Sequence, residues 1–294
     1  MMHDRVLKYV LIIPAALIVV GTTIWPLGVS LVTSFRDWRL ARSLTPGAFV
    51  GVEHYITAFT DDPDFSNALA VTARVVALDV PLTVLSALGL ALLLRRAGVL
   101  QSVTRAVLIL PFAVSPALVG ISFRFMFNAE SGVLSWAAGT AIPPLRDVVL
   151  LADPVGALVV LVLSDAWRWA PYMTLVILGG LAALPREPEE AARMDGATEF
   201  QVLRDVTIPA LLPVLAIVAI LKTVFALKMF DQVVTLTGGG PGQSTVTLAY
   251  LVYSIAFRWY DMGYASAVAW ILTAMLVFLA FWYMRLVLRK PGQT

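Results

Sequence analysis

The sequence predicts an all-α polytopic membrane protein with six transmembrane helices, and three observations carry that expectation. First, 60% of its 294 residues are hydrophobic and only 14% are charged, with a mean hydropathy of +0.86. That is far more apolar than an ordinary soluble domain. Second, a spanning helix needs about 20 mostly apolar residues, and six windows meet that need: Tyr9–Phe35, Asn67–Leu94, Ala106–Phe127, Val155–Leu184, Pro209–Phe230 and Ser266–Leu288. Third, no polar block between them is long enough to form a soluble domain, so residues 1–294 read as a single transmembrane domain.

Taken in order, the first window is long and lacks a small-residue cleavage site, so it reads as a retained anchor rather than a signal peptide. The second carries Arg74, Asp79 and Pro81. The third holds Pro111, Pro116 and Gly120, which make it the span expected to bend. The fourth contains Asp165, Arg168 and Pro171. A polar segment at about 185–208 then separates two apolar runs. Pro188 suits a first helical turn, with Glu189 and Glu190 where the helix N-terminus favours negative charge. Ala191, Ala192 and Arg193 propagate helix, and Gly196, just after Asp195, ends it in the left-handed conformation of a C-cap. A second short helix fits Thr198 to Asp205, with Thr198 as N-cap, and Pro209 stands where the fifth span begins. The segment therefore spells a helix–glycine–helix plug, a shape suited to a socket in a soluble partner.

Basic residues orient the chain. With the N-terminus inside, the inner segments hold Arg5, Lys8, Arg95, Arg96, Arg105, Arg186, Arg193, Arg204, Arg285, Arg289 and Lys290. The outer ones hold only Arg36, Arg39, Arg42, Arg146 and Arg258. The positive-inside rule favours this arrangement. It places both termini and the plug in the cytoplasm, and the run Gly238-Gly239-Gly240-Pro241-Gly242 outside.

Several function classes are excluded. A net charge of +2, scattered along the chain, argues against nucleic acid. Cysteine is absent, and the two histidines, His3 and His54, are far apart, so thiol chemistry and a histidine metal site are not expected. No HExxH, GxSxG or Walker signature appears, which disfavours a membrane-embedded enzyme. The glycine run lacks the Lys-Ser/Thr ending of a phosphate loop and needs no function beyond a turn.

Charges inside spans are costly and face a bundle interior or a wet cavity. Asp165 and Arg168, three apart on one helix face, suit either an internal ion pair or a substrate contact. Lys222 has no acid at helical spacing, so its partner lies on another helix, or is substrate or water. Arg124 and Lys228 sit near span ends, where snorkelling competes with an interior role. Trp167, Trp169 and Tyr172 in the fourth span and Phe225 in the fifth offer aromatic faces beside these charges. Such a set suits a sugar, with its apolar C–H face and polar rim; an interfacial aromatic belt is the other reading. Asp79 and Asp165 also leave open an ion-coupled secondary transporter.

The plug carries a resemblance. Glu190-Ala191-Ala192, three residues, Gly196, nine residues, then Val206-Thr207-Ile208-Pro209 resembles the EAA loop of permease subunits of bacterial ABC importers, with Val206 and Ile208 where that pattern has Ile and Leu. The block Leu236-Thr237-Gly238-Gly239-Gly240-Pro241, followed by Thr247-Leu248, Tyr250, Tyr253, Ala256-Phe257 and Gly263-Tyr264-Ala265-Ser266-Ala267, is similar to the maltose-type carbohydrate permeases. The resemblance implies a type I importer permease fold in the bacterial inner membrane, forming half of a pathway for a sugar-like solute. Besides the lipid bilayer it implies as partners a second homologous permease, a dimeric ABC ATPase holding ATP and magnesium, and an extracytoplasmic solute-binding protein. This chain itself would hold no cofactor. Glu189, Glu190, Ala191, Ala192, Asp195 and Gly196 would couple to the ATPase. Asp165, Trp167, Arg168, Trp169, Tyr172, Lys222 and Phe225 would line the substrate route. Gly238, Gly239, Gly240 and Pro241 would meet the binding protein.

Overall fold

The computed structural model describes residues 12–95, 101–145 and 148–288 of the 294. Arg5, Lys8, Arg96, Arg146, Arg289 and Lys290, six of the cations that orient the chain, lie outside them. Among the described residues eleven helices of eight residues or more run in chain order: α1 (Ile12–Thr33), α2 (Glu53–Thr60), α3 (Pro63–Leu94), α4 (Gln101–Ala113), α5 (Pro116–Met126), α6 (Val133–Ala141), α7 (Pro154–Ala183), α8 (Glu187–Met194), α9 (Glu199–Leu227), α10 (Leu248–Phe257) and α11 (Met262–Leu288), with a 3-10 turn at Pro143–Leu145 and a π turn at Val233–Thr237 between them. No strand occurs among the same residues. With no water in a bilayer core, helices are what satisfy the backbone of a spanning segment internally.

Four of these helices, α1, α3, α9 and α11, are long and apolar enough to cross a membrane, and α4 with α5 makes a fifth if the bent pair is one span. The expected third span thus bends where its prolines stand, by 89° at Val114-Ser115. Pro116 has no N–H to continue the hydrogen-bond ladder and opens a new helix with Ser115 extended before it. The expected fourth span, α7, is 30 residues long. Asp165, Arg168 and the polar and proline residues around them dilute its apolar character, so length and composition alone do not return six spans.

The chain divides into two compact units. In the first, residues 1–66 and 251–274, the segment after α1 is tied to the start of α11. Arg39 pairs with Asp261 at 3.0 Å, and the amide of Met262 donates to the Trp38 carbonyl at 2.8 Å. Gly263 is required here: a Cβ would press on the Arg36 carbonyl and stand 2.9 Å from His54 Nε2.

In the second unit, residues 67–250 and 275–294, α7 is the central helix. It starts at Asp153, whose side chain caps the Gly156 amide at 2.7 Å. Seventeen of its thirty residues are buried, which makes α7 a core element of this unit, while Val155, Val159, Leu163 and Trp167 stay exposed along one face. Ala87 and Ala91 of α3, Met173, Ile177 and Leu181 of α7, and Leu211 and Val218 of α9 form one apolar cluster with Trp169. The small residue Gly180 lets α9 approach closely, since a Cβ there would lie 2.8 Å from the Val214 methyls.

Candidate functional site

Two constellations, both in the second unit, gather most of the charged residues that the sequence singles out. In the first, Lys222 of α9 is fully buried and forms ion pairs with Asp79 of α3 and Asp165 of α7. Thr83 Oγ1 donates to the other oxygen of Asp79 at 3.1 Å. Of the two readings open for Asp165 and Arg168, the local ion pair does not form. Asp165 points into the bundle, where an ammonium is available from another helix, whereas Arg168 lies a little further round α7.

Arg168 instead donates Nε to the Val114 carbonyl at 3.3 Å, at the elbow between α4 and α5. Its guanidinium lies 5.3 Å from the Phe112 ring and 5.1 Å from Trp169. Trp169, only 5% exposed, meets Phe112 edge-on at 5.0 Å and Phe225 at 4.3 Å, and Tyr172 stacks on Phe112 at 4.4 Å. Lys222 Nζ stands 5.7 Å from the same indole. Around this cluster opens a pocket of about 300 Å³, lined in part by Arg168, Trp169, Phe225, Lys228, Asp231 and Gln232.

Of the seven residues expected on a substrate route, Asp165, Arg168, Trp169 and Phe225 line this pocket. Tyr172 backs it through Phe112, and Lys222 lies behind Trp169. Trp167 does not join them: it is 48% exposed and sits by Phe123, 5.8 Å away, on another side of α7. Two residues apart on a helix means opposed directions. Phe112, Asp231 and Gln232 went unmarked by the sequence reading. Phe112 stands beside a proline, but nothing in sequence says that a bend brings its ring to a residue 57 positions on.

The second constellation is the polar plug. Helix α8 begins with Glu187, Pro188, Glu189 and Glu190 in its first turn, and Gly196 takes φ +85° after it. Thr198 and Gln201 form a capping box: the Gln201 amide donates to Thr198 Oγ1 at 3.3 Å, and the Thr198 amide to Gln201 Oε1 at 2.8 Å. The join to the fifth span differs from expectation. The second helix does not stop before Pro209 but continues as α9 to Leu227. A π-helical turn at Leu203–Thr207, closed by the Ile208 amide on the Leu203 carbonyl, lets Pro209 sit near the head of the next α-helical stretch, where its missing N–H costs little.

Within the plug, Glu190, Ala191, Asp195 and Gly196 are exposed, as are the apolar side chains of Met194 (88%) and Phe200 (68%). Glu189 is turned inward and buried. Both its oxygens accept from Arg95, at 2.7 and 2.8 Å, Thr207 Oγ1 donates to it at 2.8 Å, and Arg193 stands 3.6 Å away. Burial alone would raise its pKa. The hydrogen bonds of Arg95 and Thr207, with the charges of Arg95 and Arg193, outweigh burial and hold the carboxyl below the usual range.

The glycine run is a packed turn. Gly238 and Gly239 have φ of +62° and +89°, and Tyr250 donates its hydroxyl to the Gly238 carbonyl at 2.7 Å. A Cβ on Gly239 would lie 2.8 Å from the Tyr250 ring, and Thr245 ties down the Gly240 carbonyl at 2.8 Å. These glycines are thus demanded by backbone conformation and close packing.

A membrane-spanning helical bundle with a capped polar plug at the head of a long helix defines the class of an importer permease. In fold it matches the crystal structure of a bacterial ABC transporter involved in the import of the acidic polysaccharide alginate, with a TM-score of 0.82 at 17% identity over 99% of this chain and 98% of that one. The crystal structure of a bacterial alginate ABC transporter in complex with alginate pentasaccharide-bound periplasmic protein matches with a TM-score of 0.79 at 17% identity, over 98% of this chain and 96% of that one. The chain belongs to the family of binding-protein-dependent transport system inner membrane components, whose profile matches residues 80–292. It is 32% identical to the sulfoquinovosyl glycerol transport system permease protein SmoG of Agrobacterium fabrum, over 98% of this chain and 92% of that protein. It is 33% identical to the trehalose/maltose transport system permease protein MalF of Thermococcus litoralis, over 94% and 91%. The chain is therefore a multi-pass permease of the sugar ABC importer family and not an enzyme, the ATPase being a separate subunit.

Proposed function

We propose that this chain forms half of the translocation pathway of an ATP-driven, binding-protein-dependent sugar importer, as a single transmembrane domain over residues 1–294. Its other half is a second homologous permease, its motor a dimeric ATPase holding ATP and magnesium, and its donor an extracytoplasmic solute-binding protein that meets the Gly238–Pro241 turn. In this reading α4–α5 is the third of six spans and α7 the fourth, both termini lie on one side, and the positive-inside rule supports the cytoplasm as that side and as the side of the plug. Exposed Glu190, Ala191, Asp195, Gly196, Met194 and Phe200 present the plug to the ATPase, with Ala192 beside them and Glu189 anchoring it.

The observation that carries this reading is the continuity of α9. One helix of 29 residues begins at Glu199 in the plug and reaches Phe225 at the pocket. At 1.5 Å per residue such a rod is about 40 Å long, so a push on the plug arrives at the pocket as rigid-body movement. ATP binding that closes the ATPase pair then shifts the bundle between inward-open and outward-open populations through its differential contacts with the two states.

The test is reconstitution of the four-part transporter in liposomes. Gly196→Pro and Glu190→Lys, each correctly inserted, should abolish ATP-driven uptake; normal uptake from the Gly196→Pro protein overturns the coupling role. Uptake by this chain alone that collapses with an uncoupler would instead establish the ion-coupled alternative.

A further inference from the structure

The first helix carries a groove on its own surface. No residue of α1 before Thr33 is buried, so the described rest of the chain gives this helix no cover over most of its length. Val20, Ile24, Gly28, Val32 and Arg36 succeed one another at four-residue steps, a spacing that forms one ridge row on a helix face. Together with Trp25 and Pro46 they line a groove of about 680 Å³. Gly28 gives it depth, since nothing lies within 4 Å of where a Cβ would stand. From Val20 to Thr33 the helix rises about 20 Å. The hydrocarbon of one leaflet is about 15 Å thick, half of the bilayer core.

The wall is apolar until Arg36, which stands where α1 has ended. Its side chain is half-buried and donates Nη1 to the Gly47 carbonyl at a long 3.5 Å. It has no ion pair among the described residues, whereas Arg39 is neutralised by Asp261 at 3.0 Å and Asp37 at 3.8 Å. The next acids along the chain are engaged elsewhere. Asp61 accepts from Thr60, and Asp62 caps the first turn of α3 and accepts from Tyr264. A guanidinium fork matches phosphate oxygens in geometry as well as charge. A protein helix laid on this face could fill the apolar row, but it would need an acid at one set position to meet Arg36. A phospholipid brings hydrocarbon and phosphate on one molecule.

We propose that α1 binds a single glycerophospholipid of the outer leaflet, one acyl chain lying in the groove from Val20 to Val32 and the phosphate held by Arg36. The choice of leaflet rests on the orientation with the N-terminus inside; the site itself does not.

The experiment uses the assembled transporter in phosphatidylcholine nanodiscs. One sample carries a trace of phosphatidylglycerol with a diazirine on its acyl chain, the other a diacylglycerol with the same chains and no phosphate. After irradiation, labelling of residues 20–33 is read by mass spectrometry and divided by that of residues 277–278, exposed apolar positions on α11. The quotient for the phospholipid should exceed that for the diacylglycerol about fivefold, the scale of one arginine at a lipid headgroup. Arg36→Gln should bring the two quotients together. Arg42→Gln, which removes an exposed cation outside the groove, should leave them apart. Gly28→Leu fills the groove and should lower the phospholipid quotient with Arg36 still in place. Equal quotients in the unmodified protein, no effect of Arg36→Gln or of Gly28→Leu, or an equal fall in Arg42→Gln overturns the proposal, the contact then being that of any annular lipid. Absence of label from residues 20–33 with both probes overturns it in favour of a protein partner covering α1.

Discussion

Replacing Glu189 by glutamine should loosen the plug without unfolding the bundle. The carboxylate joins three parts of the second unit: Arg95 after α3, Arg193 within α8, and Thr207 in the π turn of α9. Glutamine keeps the shape and one carbonyl acceptor but loses the charge and the bidentate geometry. A hydrogen bond to a charged group contributes about 1.5–3 kcal/mol. Arg95 is one-third exposed, so solvent screens part of this. The net loss is about 2 kcal/mol, roughly a thirtyfold rise in the undocked population of α8. Hydrogen exchange read by mass spectrometry on peptides covering 187–207, in the intact transporter, should show that acceleration, with weaker uptake per ATP hydrolysed. The pH dependence has a definite sign. A carboxyl held below its usual value stabilises docking fully above about pH 4.3, the unfolded reference. That stability fades as pH falls through the lower folded value. Exchange in the unmodified plug should therefore quicken only under acid, and Glu189→Gln should remove the acid step. Identical exchange in the two proteins from pH 4 to 7 would refute the anchoring argument.

Lys222→Met should leave Asp79 and Asp165 buried without a counter-ion, a loss of about 3–5 kcal/mol read as poor membrane yield and early thermal aggregation. Adding Asp79→Leu and Asp165→Leu should restore folding. Trp169→Ala should reduce sugar uptake at least tenfold, since it removes the ring shared by Phe112, Phe225 and Arg168, while Trp167→Ala should leave uptake nearly intact. Because the chain has no cysteine, single thiols report topology cleanly. Thr198→Cys should react with an impermeant reagent only after the membrane is opened, and Gln243→Cys from outside; the reverse pattern would invert the orientation.

What the sequence made legible was local. Pro188, Gly196 and Thr198 act within one turn of their own positions, and so the plug's ends could be read from spacing. Pro111 and Pro116 likewise announce the bend at the α4–α5 elbow. What stayed hidden depends on tertiary approach. The Asp79–Lys222–Asp165 cluster joins residues 143 and 57 positions apart; spacing offered Arg168 as one partner for Asp165 and left Lys222 to a group on another helix, to substrate or to water, without naming which acids. The short helices α2, α6 and α10 lack the length that made the spans visible. The π turn hid the join between plug and span, since Pro209 signals a helix start whether or not a helix already precedes it.

That π turn has an evolutionary side. A π turn amounts to one residue inserted into an α-helix and absorbed where it stands. An insertion or deletion elsewhere in α9 turns everything beyond it by about 100°, one residue's share of a 3.6-residue turn, and swings the plug away from the pocket's azimuth. At 203–207 the chain already carries the surplus. Loss of exposed Arg204 or Asp205 would regularise the helix there and leave both ends facing as before. Length changes between homologous chains in this helix should accordingly collect at this one place, a slack link in an otherwise phase-locked rod.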